Sequence, residues 1–409
     1  MLYLDAAATS PVLEEALAAA WPFLTASFGN PSSTHGLGEQ ASAALADAHK
    51  AVAGVLGCRT AEVVFTSGGT EANNLAIKGI ALGAPRGRHL VTSRLEHESV
   101  LASADYLARL HGFEVTFVDV DASGLVSEES LASALREDTT LVSLATANNE
   151  VGTVQDITAL AAVSHARGVP FHTDAIQAAS SLDVSLTATG VDAVSLSGHK
   201  LGAPKGVGVL AVRSRLPLEP LIHGGGQERG RRSGTENVAF AVAFAVALRL
   251  ADADRRAEAE QRPPASTRDL PARPRDAFVA DVLARIPDAR LTGHASDRLP
   301  RHASFVLPGV NGETVLLELE RRGVLASAGA ACAAGHDEPS HVLLALGIPE
   351  DDARTALRFT WGASTTSDDL GGVAETLAAV HETVTALSRS ATLHEGVALQ
   401  HSRDRGGTA

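Results

Sequence analysis

From about Ala61 onward, short apolar runs alternate with Ala-rich segments of helical period. The runs "EVVFTSG" (62–68), "HLVTS" (89–93), "EVTFVDV" (114–120), "TLVSLATA" (140–147), "VPFHTDA" (169–175), "DAVSLSG" (192–198) and "GVGVLAV" (206–212) read as strands. Between them, stretches such as "TEANNLAIKGIALG" and "ITALAAVSHARG" read as helices. This alternation predicts an α/β fold with a mainly parallel seven-stranded sheet covered by helices. The last two strands are too close for a helical crossover, so they are expected to pair antiparallel. Ligands in such sheets bind beyond the carboxyl ends of the strands. The apolar run "VAFAVAFAVAL" (238–248) reads as a helix buried on all sides. Its eleven residues fall well short of the roughly 20 that span a membrane.

The pattern breaks over 251–276, where Pro263, Pro264, Pro271 and Pro274 accompany a single large aliphatic residue, Leu270. Prolines at that density end helices, so this stretch is expected to connect two domains. A large domain is expected over 13–250. A smaller α+β domain is expected over 1–12 and 277–395, with strands at "ASFVLPG" and "ALRFTWG". Residues 396–409 are polar and expected to be a disordered tail. The 409-residue length agrees with two domains.

Charge and cysteine content narrow the classes. The formal net charge is −14 and no basic block occurs, so no nucleic-acid partner is expected. "MLYLDAAATSP" has no basic n-region and Asp5 interrupts its apolar start, so neither a secretory signal nor a membrane partner is expected. Two cysteines, Cys58 and Cys332, make no disulfide framework, and a cytoplasmic location is expected.

The chain has only four lysines, and two of them lie in "LSGHKLGAPKGVGVL" (196–210). Lys200 follows a strand and a Ser-x-His pair suited to a phosphate, while Lys205 suits a solvated turn. A lysine that forms a Schiff base must be reachable and easily deprotonated. Upstream, "TSGGTEANN" puts Gly68, Gly69 and Thr70 where a helix begins after a strand, a place that attracts phosphate. In "VPFHTDAIQAA", Asp174 and Gln177 fall just past a strand, where a carboxylate either caps a helix or faces a cationic ring nitrogen. Taken one at a time, the plain readings (a βα turn, a helix cap, a solvated lysine) stay open. Together, and in this order, they are hard to dismiss.

The segments "YLDAAATSP", "FGNPSSTHG", "FTSGGTEANNLAIKG", "EHESV", "NNEVGTVQDI", "HTDAIQA", "SLSGHKLGAPKGVGVL", "HGGGQERGRRSGTEN" and "SAGAACAAGHDEPSHVLLALG" resemble the cysteine desulfurases of the nitrogen-fixation and iron–sulfur-assembly type. The resemblance runs in order from Tyr3 to about Gly362. It implies the fold type I architecture of pyridoxal 5'-phosphate transferases, as in aspartate aminotransferase. It further implies that Lys200 anchors the cofactor, that Asp174 pairs with the pyridine nitrogen and that Gln177 bonds the ring hydroxyl oxygen. His97 would stack on the ring as an acid/base group. Gly69, Thr70, Ser197 and His199 would hold the phosphate, with Thr235 arriving from the partner copy of a homodimer. Asn149 and Arg358 would bind the substrate carboxylate.

Cys332, in a Gly/Ala-rich stretch, would be the nucleophile, since a thiolate is what attacks the sulfur of bound L-cysteine. The outer sulfur would then pass to an acceptor protein, an iron–sulfur scaffold or a thiolation enzyme. No resident metal is implied, though Cys332 could share a cluster in transit. A selenocysteine lyase, another β-eliminating pyridoxal phosphate enzyme, an aminotransferase and an inactive sulfur-transfer scaffold are the alternatives. Three departures from the family stand out: the prolines of 251–276, Thr360 where Ser is common, and Ala363 where Arg is common.

Overall fold

The structure, a computed structural model, describes residues 1–83, 86–261, 273–329 and 339–404. The chain forms two compact units, Ala7–Pro271 with Gly293–Pro300, and Met1–Ala6 with Ala272–Thr292 and Arg301–Ala409. Strand β1 (Leu2–Tyr3) opens the smaller unit. The larger unit then runs α1 (Glu14–Thr25), α2 (Gly36–Val55), β2 (Val63–Thr66), α3 (Gly69–Gly83), β3 (His89–Ser93), α4 (Glu98–His111), β4 (Glu114–Val118) and α5 (Glu128–Ala134). It continues through β5 (Thr139–Ser143), α6 (Ile157–Ala166), β6 (Phe171–Asp174), α7 (Leu186–Thr189), β7 (Ala193–Ser197), β8 (Gly208–Val212) and α8 (Val238–Gln261). The smaller unit resumes with α9 (Arg273–Arg285), β9 (Arg290–Leu291), β10 (His302–Val306), α10 (Gly312–Arg321), β11 (Val324–Leu325) and β12 (Ser327–Ala328). It ends with α11 (His341–Ala345), α12 (Glu350–Ala353), β13 (Ala356–Thr360) and α13 (Ser367–Asp404).

The larger unit carries a seven-stranded sheet in the order β2-β8-β7-β6-β5-β3-β4. The pairs from β7 through β4 are parallel, whereas β8 runs antiparallel to both its neighbours. Ala193 faces Val212 and Ser197 faces Gly208, as the short link between β7 and β8 requires. Alternate strand residues feed two cores, because successive side chains point to opposite faces. Val63, Phe65, Val209 and Ala211 pack with Leu45 and Val52 of α2 and Phe244 and Leu248 of α8. Val64, Leu210 and Val212 pack with Leu75 of α3 and Val100 and Leu107 of α4 on the other face.

Several expectations are corrected. In α8, Ala243, Phe244, Ala247 and Leu248 are buried, but Phe240, Val242 and Val246 are only half-buried, so the helix is not enclosed on all sides. That helix also continues to Gln261 instead of breaking at 251. Residues 251–261 contain no proline, and Asp252 pairs with Arg255 at 2.6 Å and Arg256 at 2.9 Å along the helix. Pro263, Pro264 and Pro271 lie outside the described residues, and Pro274 sits in the first turn of α9, where proline is tolerated.

Residues 7–12 group with the larger unit and not with 1–6, since Ser10 N–H donates to His199 O at 2.9 Å and Leu13 N–H to Gly202 O at 2.8 Å. Gly293–Pro300 does likewise, through Val154 N–H to Asp297 O and Leu299 N–H to Gly152 O, both 2.9 Å. Finally, α13 extends to Asp404, where a disordered tail was expected from residue 396; the stretch lacks proline.

The smaller unit holds an antiparallel sheet, β12-β13-β10-β9, and a parallel pair, β1-β11. Its core centres on Phe278 of α9, whose ring meets those of Phe305, Phe359 and Trp361 edge-on at 5.6 to 6.1 Å. Among the described residues, no helix is long and apolar enough to cross a membrane.

Candidate active site

The parallel strands of the larger unit deliver their functional side chains at one kind of place, the carboxyl end. After β2, Gly69 and Thr70 open α3, and after β3, His97 caps α4. Asn149 follows β5, Asp174 is the last residue of β6, and Ser197 ends β7. A single 3-10 turn, Gly198–Lys200, then carries His199 and Lys200.

Close approach crowds Gly69 and leaves no room for a side chain on Gly208, the first residue of β8. A Cβ on Gly69 would lie 2.3 Å from Ile176 Cδ1 and 3.1 Å from Ser197 Cβ. A Cβ on Gly208 would lie 2.5 Å from the carbonyl carbon of Gly68. The first turn of α3 is thereby pressed against the end of β7. With its 15 residues, α3 directs free N–H groups and the exposed Thr70 outward from that turn.

Lys200 is half-buried, and its Nζ donates to Ala7 O and, at 2.7 Å, to Ala8 O. Gln177 Nε2 donates to the same Ala7 O at 3.0 Å. His199 Nδ1 lies 3.2 Å from Thr9 Oγ1, and Ser10 Oγ donates to His199 O at 2.7 Å. Segment 7–10 is thus strung along the lysine turn. Burial, reinforced by the charges of Lys200 and Lys205, pushes the His199 pKa down to about 4, so this ring is neutral at neutral pH. Of the other lysines, Lys50 and Lys205 are exposed. Lys78 sits inside α3, donating to Asn74 Oδ1 at 2.6 Å over the Tyr106 ring.

Asp174 is buried, and its Oδ1 accepts the Ile176 N–H at 2.9 Å while Oδ2 accepts Asn73 Nδ2 at 2.6 Å. Burial raises its pKa, against the opposing pull of those two donors and of the charges on His97 and Lys200. A protonated ring nitrogen facing this carboxylate would offset that burial cost. His97 is the N-cap of α4, its Nδ1 accepting the Ser99 N–H at 3.0 Å, and Ser99 Oγ lies 2.8 Å from the same nitrogen. Under the site, His172 of β6 links Ser143 of β5 and Ser195 of β7 at 2.9 Å each, and burial pushes its pKa down to about 3. That polar string ties together the strands whose ends carry Asp174 and Ser197. The neutral phosphate-side ring, the helix start, the buried carboxylate and the half-buried amine suit a cofactor with a phosphate arm and a cationic ring.

Sequence reasoning missed three neighbours of these groups: Asn73, Ser99 and Glu96. Glu96 is buried, accepts from Ser93 Oγ at 2.7 Å and Ala145 N at 3.2 Å, and burial pushes its pKa up to about 8. All three lie within quoted motifs, but nothing in the sequence tells which polar residue turns inward.

Burial sorts the other residues named from the sequence. Asn149 is half-buried, whereas its neighbour Asn148 is buried and spent on Leu95 O, Glu150 N and Val151 N. Thr235 is exposed. Arg358 belongs to the smaller unit, where it is buried and bonds Asp5 Oδ1 at 2.8 Å. Cys332 lies outside the described residues. Cys58 packs half-buried on the main core, with its pKa pushed up to about 11 by burial, which makes it a poor nucleophile.

Residues 2–372 match the family described as aminotransferase class-V. The chain is 42% identical to the cysteine desulfurase IscS of Dictyoglomus turgidum over 388 residues, covering 95% of this chain and 96% of that protein. Among solved structures, a NifS-like protein is 33% identical, with a TM-score of 0.83 over 94% of this chain and 99% of that one. A structure titled SspA in complex with cysteine is 35% identical, with a TM-score of 0.74 over 88% of this chain and 98% of that one. A family match along nearly the whole chain, close relatives of one kind and a shared architecture have one consequence: the chain belongs to the class-V aminotransferase family, among its cysteine desulfurases.

Proposed function

We propose that the chain is a pyridoxal 5'-phosphate-dependent cysteine desulfurase that converts L-cysteine to L-alanine and takes the sulfur onto Cys332 as a persulfide. The observation that supports this most strongly is the set of Lys200, Asp174 and His97 at the carboxyl ends of parallel strands, in a chain of this family. Gly69, Thr70, Ser197 and the neutral His199 would hold the phosphate, with Thr235 of a second copy. Asp174 would pair with the ring nitrogen, Gln177 with the ring hydroxyl oxygen, and His97 would serve the ring as its acid/base group. Bound there, the cofactor supplies the electron sink that weakens the substrate's Cα–H and Cβ–S bonds.

Asn149 and Arg358 bind the substrate carboxylate, and Lys200 Nζ serves as the base for the Cα proton. The Cys332 thiolate forms an S–S bond to the substrate sulfur as the Cβ–S bond breaks. The electron pair of that bond stays with carbon, which takes a proton, so the products are alanine and the Cys332 persulfide. The outer sulfur then passes to a thiol of an acceptor protein. A free nucleophilic thiol and only two cysteines support a reducing, cytoplasmic setting.

A homodimer is supported by α1, where Leu17, Trp21 and Leu24, followed by Phe28, form an exposed apolar stripe at helical spacing. Trp21 is 60% and Phe28 67% exposed. Trapping with L-cysteine in a single turnover tests the chemistry: wild type forms a persulfide and Cys332→Ala does not. Sulfide release by Cys332→Ala at the wild-type rate under reductant would remove Cys332 as nucleophile. A visible cofactor band that survives Lys200→Ala unchanged would remove the lysine.

A further inference from the structure

We infer that Asn73 is a positioning residue, whose one amide holds the Asp174 carboxylate and, through Ser99, the proton-free nitrogen of His97. Asn73 is fully buried, and its Nδ2 lies 2.6 Å from Asp174 Oδ2 and 2.9 Å from Ser99 Oγ. A carboxylate only accepts, so the amide must turn its NH2 end this way and spend one N–H on each partner. Ser99 Oγ, already accepting, directs its own hydrogen to His97 Nδ1, 2.8 Å away. Nδ1 also accepts the Ser99 N–H at 3.0 Å, so the ring carries its proton on Nε2.

The other end of the amide gains nothing: Asn73 Oδ1 is buried without a hydrogen-bond partner among the described residues. An apolar side chain would avoid that cost, so the two N–H groups are what the residue contributes. Turning the amide over would set Oδ1 against the Asp174 carboxylate. The orientation of Ser99 therefore depends on the Asp174 carboxyl group across Asn73, with Glu96 and Lys200 the other charged or titratable groups acting on this pair.

This inference rests on the functional reading of Asp174 and His97, and its test separates the two. Apoenzyme with 15N-labelled histidine, with His97 assigned from a His97→Gln difference spectrum, reports the hydrogen bonds at Nδ1. The Nδ1 resonance moves in the same direction in Asn73→Ala and Ser99→Ala, and no further in the double variant. Apoenzyme affinity for pyridoxal 5'-phosphate, by equilibrium dialysis, falls about tenfold or more in Asn73→Ala, as for one lost bond to a charged group, and stays within about threefold in Ser99→Ala. Asn73→Ser serves the same test should the alanine variant not fold. An unmoved Nδ1 resonance in the Asn73 variant, additive shifts, or unchanged cofactor affinity overturns the inference. Failure of wild type to bind the cofactor would instead sink the functional reading, while the resonance shifts still judge the network.

Discussion

Replacing His49 with leucine would strip the partner from a buried carboxylate and tests how the loop ahead of Thr235 is held. His49 of α2 donates from Nδ1 to Leu45 O at 2.8 Å, and its Nε2 meets Glu228 Oε2 at 2.9 Å. Its ring also stands edge-on to Phe65, 4.8 Å between centroids. Glu228 is buried, its Oε1 has no hydrogen-bond partner among the described residues, and Glu228 and Arg229 both take left-handed backbone, φ 48° and 59°. Each such residue costs about 1–2 kcal/mol, so this loop conformation needs a compensating anchor.

Leaving a buried polar group without its hydrogen-bond partner costs about 1–3 kcal/mol, because its desolvation is then uncompensated. At roughly 2–4 °C per kcal/mol for a unit of this size, His49→Leu should lower the melting temperature by about 2 °C or more. Glu228→Leu should lose a similar amount by leaving an unpaired imidazole. The double variant should lose no more than either single one, since replacing both hydrogen-bond partners by apolar groups is close to neutral. Thermal and urea unfolding of the four proteins measures this. Single variants that lose less than about 1 kcal/mol, or losses that add in the double, would refute the reasoning.

Three further outcomes follow from the same structure. Glu96 keeps its proton in the folded state up to about pH 8, whereas unfolded it ionises near 4.5, so wild type loses stability as pH rises through that window. Glu96→Gln retains the acceptor for Ser93 and Ala145 and flattens the decline by on the order of a few kcal/mol; a variant-minus-wild-type difference that stays constant from pH 5 to 8 would count against it. Gly208→Ala forces a methyl against the Gly68 backbone, costing about 1–3 kcal/mol and weakening cofactor binding at the start of α3; unchanged unfolding and unchanged cofactor affinity would show that the contact has slack. Trp21→Asp breaks the exposed stripe of α1, so sedimentation should show monomer; a dimer as tight as wild type would move the interface elsewhere.

How much was legible depended on how local the signal was. Seven strand runs, the antiparallel turn after β7 and the lysine turn were readable because each is written in a few consecutive residues. The motif order carried Gly69, Thr70, His97, Asp174 and Lys200 to strand ends, where they lie. Helix lengths were read less well. Prolines at 263 and 264 suggested a break from 251, yet helical ion pairs carry α8 to Gln261.

By itself, the sequence determined the strand–helix alternation, the family and the residue types available for chemistry, since periodicity and short motifs are properties of neighbouring positions. Only the tertiary structure decided which polar residues turn inward and meet. Asn73 and Asp174 are 101 positions apart, and His49 and Glu228 are 179 apart. Contacts of that separation follow from sheet order and helix packing, which set side-chain direction and burial, and burial in turn sets the proton on Glu96 and the neutrality of His199.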